Sequence, residues 1–176
     1  MTTKEKLLEA ASKIIITRGI GSLTLETVAL EAGVSKGGLL YHFPNKEELI
    51  VGLNLYSLER FRNSIKLEME AGKNYVEAYA EATLNDLFHS EYLGIDASVL
   101  AASENHITVL EKWNEECNRF TEELKKEGIP FELGMSLRLA CDGLWYSKMF
   151  GIGELNEEEQ RRIISFLLKQ IREESL

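Results

Sequence analysis

Lys36, Tyr41, His42 and Lys46 fall within one eleven-residue stretch, KGGLLYHFPNK, and all four carry donors that can hydrogen-bond a phosphate oxygen. Beside them stand Gly37 and Gly38, where the flanking pattern asks for the first turn of a helix. Glycine inside a helix costs roughly 1 kcal/mol relative to alanine, so helix stability is not what selects the pair. A bare backbone can approach phosphates or base edges that any side chain would hold away. The alternative is a phosphate-cradling loop of a nucleotide enzyme. No strand pattern precedes the glycines, however, and neither the G-x-G-x-x-G nor the P-loop spacing is present.

Other reactive side chains form no constellation. His42, His89 and His106 are far apart and outside any H-E-x-x-H spacing, and Ser57, Ser98 and Ser103 lack the context of a nucleophile elbow. Cys117 and Cys141 share no metal-type spacing and lie on apolar stretches, which reads as buried, reduced packing. No catalytic residue, metal site or cofactor is expected.

The elements that must position the KGGLLYHFPNK stretch are helical throughout. The chain has only two prolines, Pro44 and Pro130, and no strand-length alternation of apolar and polar residues. Three Asn-x-x-Glu stretches, Asn45/Glu48, Asn74/Glu77 and Asn156/Glu159, resemble capping boxes and mark helix starts. The pattern predicts helices over 4–18, 25–32, 36–43, 46–71, 75–89, 96–104, 107–127, 131–149 and 157–174, an all-α protein. Helices of about eight residues are not stable alone in water, so 25–32 and 36–43 must pack on each other and on the first helix. Thr24 can cap one and Ser35 the other, Gly33 permits the turn between them, and Val34, Leu39 and Phe43 supply the contacts. That is a helix-turn-helix, whose second helix lies in the DNA major groove with its N-terminal residues nearest the bases.

Charge is divided unevenly. The net charge of −9 argues against a protein that coats nucleic acid, yet residues 1–50 hold six Lys/Arg against six Asp/Glu, and the remainder 14 against 23. A neutral unit on an acidic body can still touch phosphates, because binding responds to the field at the contact surface. Nothing approaches the roughly 18 apolar residues of a membrane span, and the charged, amphipathic N-terminus is unlike a signal peptide. A cytoplasmic protein with no membrane partner is expected.

The stretch TLETVALEAGVSKGGLLYHFPNKEEL, residues 24 to 49, resembles the DNA-binding signature of the TetR family of bacterial transcriptional repressors. The V-S-K-G start, the aromatic/His/Phe end and the following Lys46 occur in register. Likeness is strongest over residues 4 to 50. The resemblance implies an N-terminal three-helix DNA-binding domain, 1–46, and a C-terminal helical ligand-binding and dimerisation domain, 47–176. It implies a homodimer on a palindromic operator of double-stranded DNA, released when a small molecule occupies the C-terminal domain. By the same resemblance Thr24, Thr27, Ser35, Lys36, Gly37, Tyr41, His42 and Lys46 match positions that commonly contact DNA, and Gly38 lies among them. Two positions depart from the commoner pattern: Gly38 removes a base or phosphate contact, and Leu40 offers only apolar contact, as to a thymine methyl.

The C-terminal helices suggest two further surfaces. From Phe131 to Phe150 apolar residues occupy nearly the whole circumference, and 157–174 carries a stripe wider than one core face. Either both helices are central in a monomer, or they form an isologous four-helix interface with a second copy, built on Leu137, Cys141, Leu144, Ile164, Leu167, Leu168 and Ile171, which the family resemblance favours. Tyr79, Thr83, Phe88, Trp113, Asn114, Cys117, Phe120, Thr121, Trp145 and Met149 mix aromatic and sparse polar groups, which suits a small apolar or aromatic ligand. The competing readings are a small helical enzyme and a protein-interaction module without DNA binding.

Overall fold

The computed structural model describes residues 1–89 and 107–174. The expected helix 96–104 and the side chains of His106, Ser98 and Ser103 lie outside them. Eight α-helices are described: α1 Thr3–Arg18, α2 Leu25–Ala32, α3 Lys36–His42, α4 Lys46–Glu70, α5 Tyr75–His89, α6 Ile107–Lys126, α7 Phe131–Phe150 and α8 Glu157–Glu174. No strand occurs among the described residues, and none of their helices is long and apolar enough to cross a membrane.

Helix starts follow their caps. Asn45, Asn74 and Asn156 each accept a hydrogen bond from the backbone N–H three residues on, at 2.7, 2.8 and 3.0 Å. At Asn156 the return bond from its own N–H to Glu159 Oε2, 2.9 Å, completes the box. Thr2 with Glu5 and Thr24 with Thr27 form two more boxes, with hydroxyls as caps. The end of α3 falls one residue before the expected position. Phe43 precedes Pro44, which forces an extended backbone, and its φ is −137°.

The described residues divide into two compact units, one holding 1–59 and 107–111, the other 60–89 and 112–174. In the first, α1, α2, α3 and the opening turns of α4 enclose Leu7, Ala11, Ile14, Leu23, Val28, Leu39, Phe43, Leu49 and Leu53, all nearly inaccessible. Glu31 on α2 pairs with Lys13 at 2.5 Å and with Arg18 at 3.4 Å, tying α2 to α1. Gly33 turns the chain between α2 and α3 with φ 64°, a left-handed conformation that favours glycine. Gly52 makes room for a ring: a Cβ there would lie 2.6 Å from Cε1 of Phe43.

In the second unit α5 is the central helix. Every side chain from Tyr75 to Phe88 is buried or half-buried, and Ala78, Ala80 and Ala82 let neighbouring helices come close. Its free N-terminal amides are met from another helix: Glu127, just past the end of α6, accepts from Tyr75 N–H at 2.5 Å and Val76 N–H at 3.4 Å. α7 and α8 pack on each other and on α5, burying Leu137, Cys141, Leu144, Ile164, Leu168 and Ile171. Gly134 lets α7 approach α6, since a Cβ would collide with the buried side chain of Leu124.

That arrangement corrects the residues expected to meet a second copy. Leu137, Cys141, Leu144, Ile164, Leu168 and Ile171 are at most 8% exposed and fill their own unit, while Leu167 is half-buried. The large apolar residues that α7 and α8 leave in the open are Phe131, Leu139, Tyr146, Phe150, Ile163 and Phe166. The periodicity showed that the helices had more apolar surface than one face needs; it could not assign which face turned inward.

Candidate nucleic-acid interface

On α3, Leu39 and Phe43 sit four residues apart on the buried face, 0% and 3% exposed. Lys36, Gly37, Leu40 and Tyr41 are therefore turned outward, and Tyr41 is 85% exposed. The Tyr41 ring stands edge-on to His42, centroids 5.1 Å apart, and His42 and Lys46 are half-buried beside it. An exposed tyrosine of this kind is not held there by packing.

The hydroxyl groups have local duties. Thr24 Oγ1 accepts from Thr27 N–H at 3.1 Å, Thr27 Oγ1 donates to Ser22 O at 3.0 Å, and Ser35 Oγ accepts from Gly38 N–H at 3.1 Å. Thr24, Thr27 and Ser35 thus first fix the starts of α2 and α3. Hydroxyl oxygens have two lone pairs, so capping leaves acceptor capacity but occupies the preferred orientation.

The two glycines differ. A Cβ on Gly37 would meet nothing within 4 Å, so the backbone there is open to solvent. On Gly38 it would lie 2.9 Å from Val34 Cγ1 and 3.3 Å from Ser35 Oγ. Close approach to a groove is therefore available at Gly37, whereas Gly38 faces the turn and is small because the turn is tight. The expectation that both glycines face outward is corrected at Gly38.

Two charged partners escaped the sequence reading. Glu26 on α2 accepts a hydrogen bond from Lys36 Nζ at 2.8 Å. That bond raises the lysine pKa and lowers the glutamate pKa. Lys4 on α1 lies over the Phe43 ring, 5.9 Å from its centroid, placing another cation at the end of α3. Neither pairing has a sequence signal, because both join separate helices.

In the second unit the expected ligand residues are partly assembled. Tyr79 meets the rings of Phe61 and Phe120 edge-on, at 5.3 and 4.8 Å, and Trp113 meets Trp145 at 6.1 Å. Thr83 is buried and donates to Tyr79 O at 2.9 Å, and Thr121 donates to Cys117 O at 3.2 Å. Met149 is half-buried, Phe88 lies under the Arg161 guanidinium, and Asn114 is exposed on α6. Asn114 accordingly leaves the group, because its side chain is turned to solvent.

A polar chain runs through the same helices. Tyr79 Oη donates to Asp142 Oδ1 at 3.3 Å, Arg138 Nε lies 3.5 Å from Asp142 Oδ2, and Arg138 Nη2 lies 2.6 Å from Cys117 Sγ. Burial pushes the Asp142 carboxyl upward, against the opposing effects of Arg138 and the Tyr79 bond. Burial likewise raises Asp86, opposed by Arg60, and raises Tyr79 well above its usual value. Arg138 and Asp142 were readable as a charged i,i+4 pair in an otherwise apolar helix; Phe61 carried no signal. No group of three metal-ligating side chains occurs among the described residues.

A small N-terminal unit presenting a short exposed helix, followed by a larger helical unit, defines a helix-turn-helix regulator. Residues 7–53 match the model of the bacterial regulatory proteins of the tetR family, and residues 73–172 match that of the tetracyclin repressor-like C-terminal domain. The chain belongs to the TetR family of transcriptional regulators. It is 39% identical over 51 residues to the HTH-type transcriptional regulator TtgR of Pseudomonas putida, a match covering 29% of this chain and 24% of that protein. The chain thus spans about a quarter of the length of the first curated relatives it matches. The HTH-type transcriptional regulator CymR of Pseudomonas putida is 28% identical over 152 residues, 82% of this chain and 73% of that protein. Among solved structures, a TetR-family member from Streptomyces coelicolor shares the fold with a TM-score of 0.72 at 19% identity, covering 95% of this chain and 98% of the other. The multidrug binding protein EbrR complexed with ethidium does so with 0.69 at 18%, covering 94% and 97%.

Proposed function

We propose that the protein is a cytoplasmic repressor that binds a palindromic operator as a homodimer and leaves it when a small apolar or aromatic molecule occupies the C-terminal unit. It is a binding protein and not an enzyme. Residues 1–46 form the DNA-binding domain, seated on the first turns of α4, and residues 47–176 the ligand-binding and dimerisation domain. The observation that carries the reading is the outward face of α3, where Tyr41 and the open backbone of Gly37 stand over a core closed by Leu39 and Phe43. Phosphate contacts come from Lys36, Tyr41, His42 and Lys46.

Dimerisation is supported by the exposed row Leu139, Tyr146 and Phe150 on α7, with Gly143 open within it, and by Ile163 and Phe166 on α8. Residues at i, i+4, i+7 and i+11 share one helix face, and such a face suits an isologous contact. The ligand reading rests on the aromatic cluster about Tyr79, Phe61 and Phe120 and is helped by EbrR, which was solved with ethidium. The test is a mobility shift with duplexes from around the protein's own gene at 50 and 200 mM salt. Specific retardation that weakens with salt is expected; equal retardation of every duplex, or none, would sink the reading.

A further inference from the structure

We propose that Leu40 reads the C5-methyl group of a thymine in each half-site, making this apolar contact a determinant of operator choice; the inference rests on the DNA-binding reading above. The fully outward face of α3 carries little that can hydrogen-bond a base edge, His42 being half-buried beside Tyr41 and given to a phosphate in the proposal above. Gly37 has no side chain, and Lys36, paired with Glu26 on the neighbouring helix, is the group the proposal above gives to a phosphate. Tyr41 offers one hydroxyl at the end of a long ring. Leu40 stands between these groups, three residues from Gly37 and four from Lys36, and therefore on the same face. It is 38% exposed, whereas the adjacent Leu39 is wholly buried, so the core does not require a leucine at position 40.

In the major groove the thymine methyl is the apolar feature that distinguishes a T·A pair, and aliphatic side chains are its natural partners. The open space at Gly37 removes the side chain that would otherwise keep this part of the helix off the base edges. A bare position and an exposed aliphatic residue on one helix face together suit a methyl group better than a hydrogen-bonding edge. Buried apolar contact, not a donor or acceptor, then discriminates thymine from the other bases at that step.

The experiment uses the full-length protein. A duplex is selected from a random library, and each thymine of a half-site is then replaced by deoxyuridine, which keeps every hydrogen bond and removes only the methyl. Wild type should lose about four-fold in affinity for each methyl removed at one position, and about fifteen-fold when both half-sites are changed. Leu40→Ala should bind the thymine and deoxyuridine duplexes alike, and Leu40→Asn should shift the base preferred at that position. Circular dichroism of both variants checks that the exposed substitution leaves the fold intact. Insensitivity of wild type to every deoxyuridine, or an unchanged methyl dependence in Leu40→Ala, overturns the inference and leaves DNA binding standing. If no duplex is enriched, the DNA-binding reading itself fails and this inference with it.

Discussion

On the proposed DNA-binding reading, Glu26 limits the positive charge that Lys36 offers a phosphate. The pair is fully exposed, so its attraction is screened and adds little to stability. In the proposed complex its effect on DNA would be larger, because a carboxylate at the edge of a recognition helix repels phosphate. Glu26→Gln should tighten binding to nonspecific DNA and steepen the dependence of log affinity on log salt by about one phosphate's worth per half-site. Lys46→Ala should do the reverse, weakening specific and nonspecific binding about equally. Anisotropy titrations between 50 and 200 mM salt measure both, and parallel salt slopes for the two variants would refute the assignment. Cys141 makes a second case at this scale. Burial pushes its thiol up to about 12, and it is 1% exposed. Raising the pKa keeps the reactive thiolate scarce below that value, so native protein at pH 8 should leave Cys141 unmodified by iodoacetamide, whereas denatured protein should be alkylated there. Mass spectrometry of peptides containing Cys141 reads the difference.

Helices were largely legible in the sequence because their ends are locally encoded. The asparagine caps, Gly33 and the Phe43-Pro44 step need only their neighbours to act. The outward placement of Tyr41 followed from the spacing of Leu39 and Phe43. What could not be read depends on distant partners: Gly38 against Val34, Gly52 against Phe43, and Glu127 across to α5. The same limit hid the inward face of α7, since two apolar faces look alike until a neighbour is chosen. Gly52 gives the element-scale prediction. Alanine would favour the helix by roughly 1 kcal/mol, but its methyl must displace a ring that is 3% exposed, and overpacking a core costs about 1 to 3 kcal/mol. Gly52→Ala should therefore lower stability in urea by up to about 2 kcal/mol and also weaken DNA binding, because Phe43 anchors the end of α3. A stabilised variant with unchanged affinity would show that the ring has room to move.

At the scale of the whole molecule, two leucines on the last helices separate folding from assembly. Leu139 is 63% exposed and Leu168 is 7% exposed. Leu139→Glu, with Phe166→Glu, should leave a folded monomer whose operator affinity has collapsed, since a single recognition helix reads half a site. Leu168→Glu should instead unfold the C-terminal unit, because a charge placed in an apolar core lacks compensation. Analytical ultracentrifugation with circular dichroism distinguishes the two. A wild-type protein that sediments as a monomer at micromolar concentration would remove the homodimer from the proposal.

The core about α3 also fixes an order of events in the cell. Among the described residues, the buried cluster about α3 runs from Leu7 to Leu53, whereas the carboxylate that caps α5 belongs to Glu127. At about 5 to 20 residues per second a ribosome needs roughly 4 to 15 s to travel from one to the other. Helical units with local contacts fold in microseconds to milliseconds. The core about α3 is thus complete in sequence while the C-terminal helices are still being made, and under the proposed homodimer a nascent chain on its polysome would offer DNA a single recognition helix. With the proposed homodimer, tight operator occupancy would begin only after release and pairing, and would depend on the square of the concentration of completed chains when those chains are scarce.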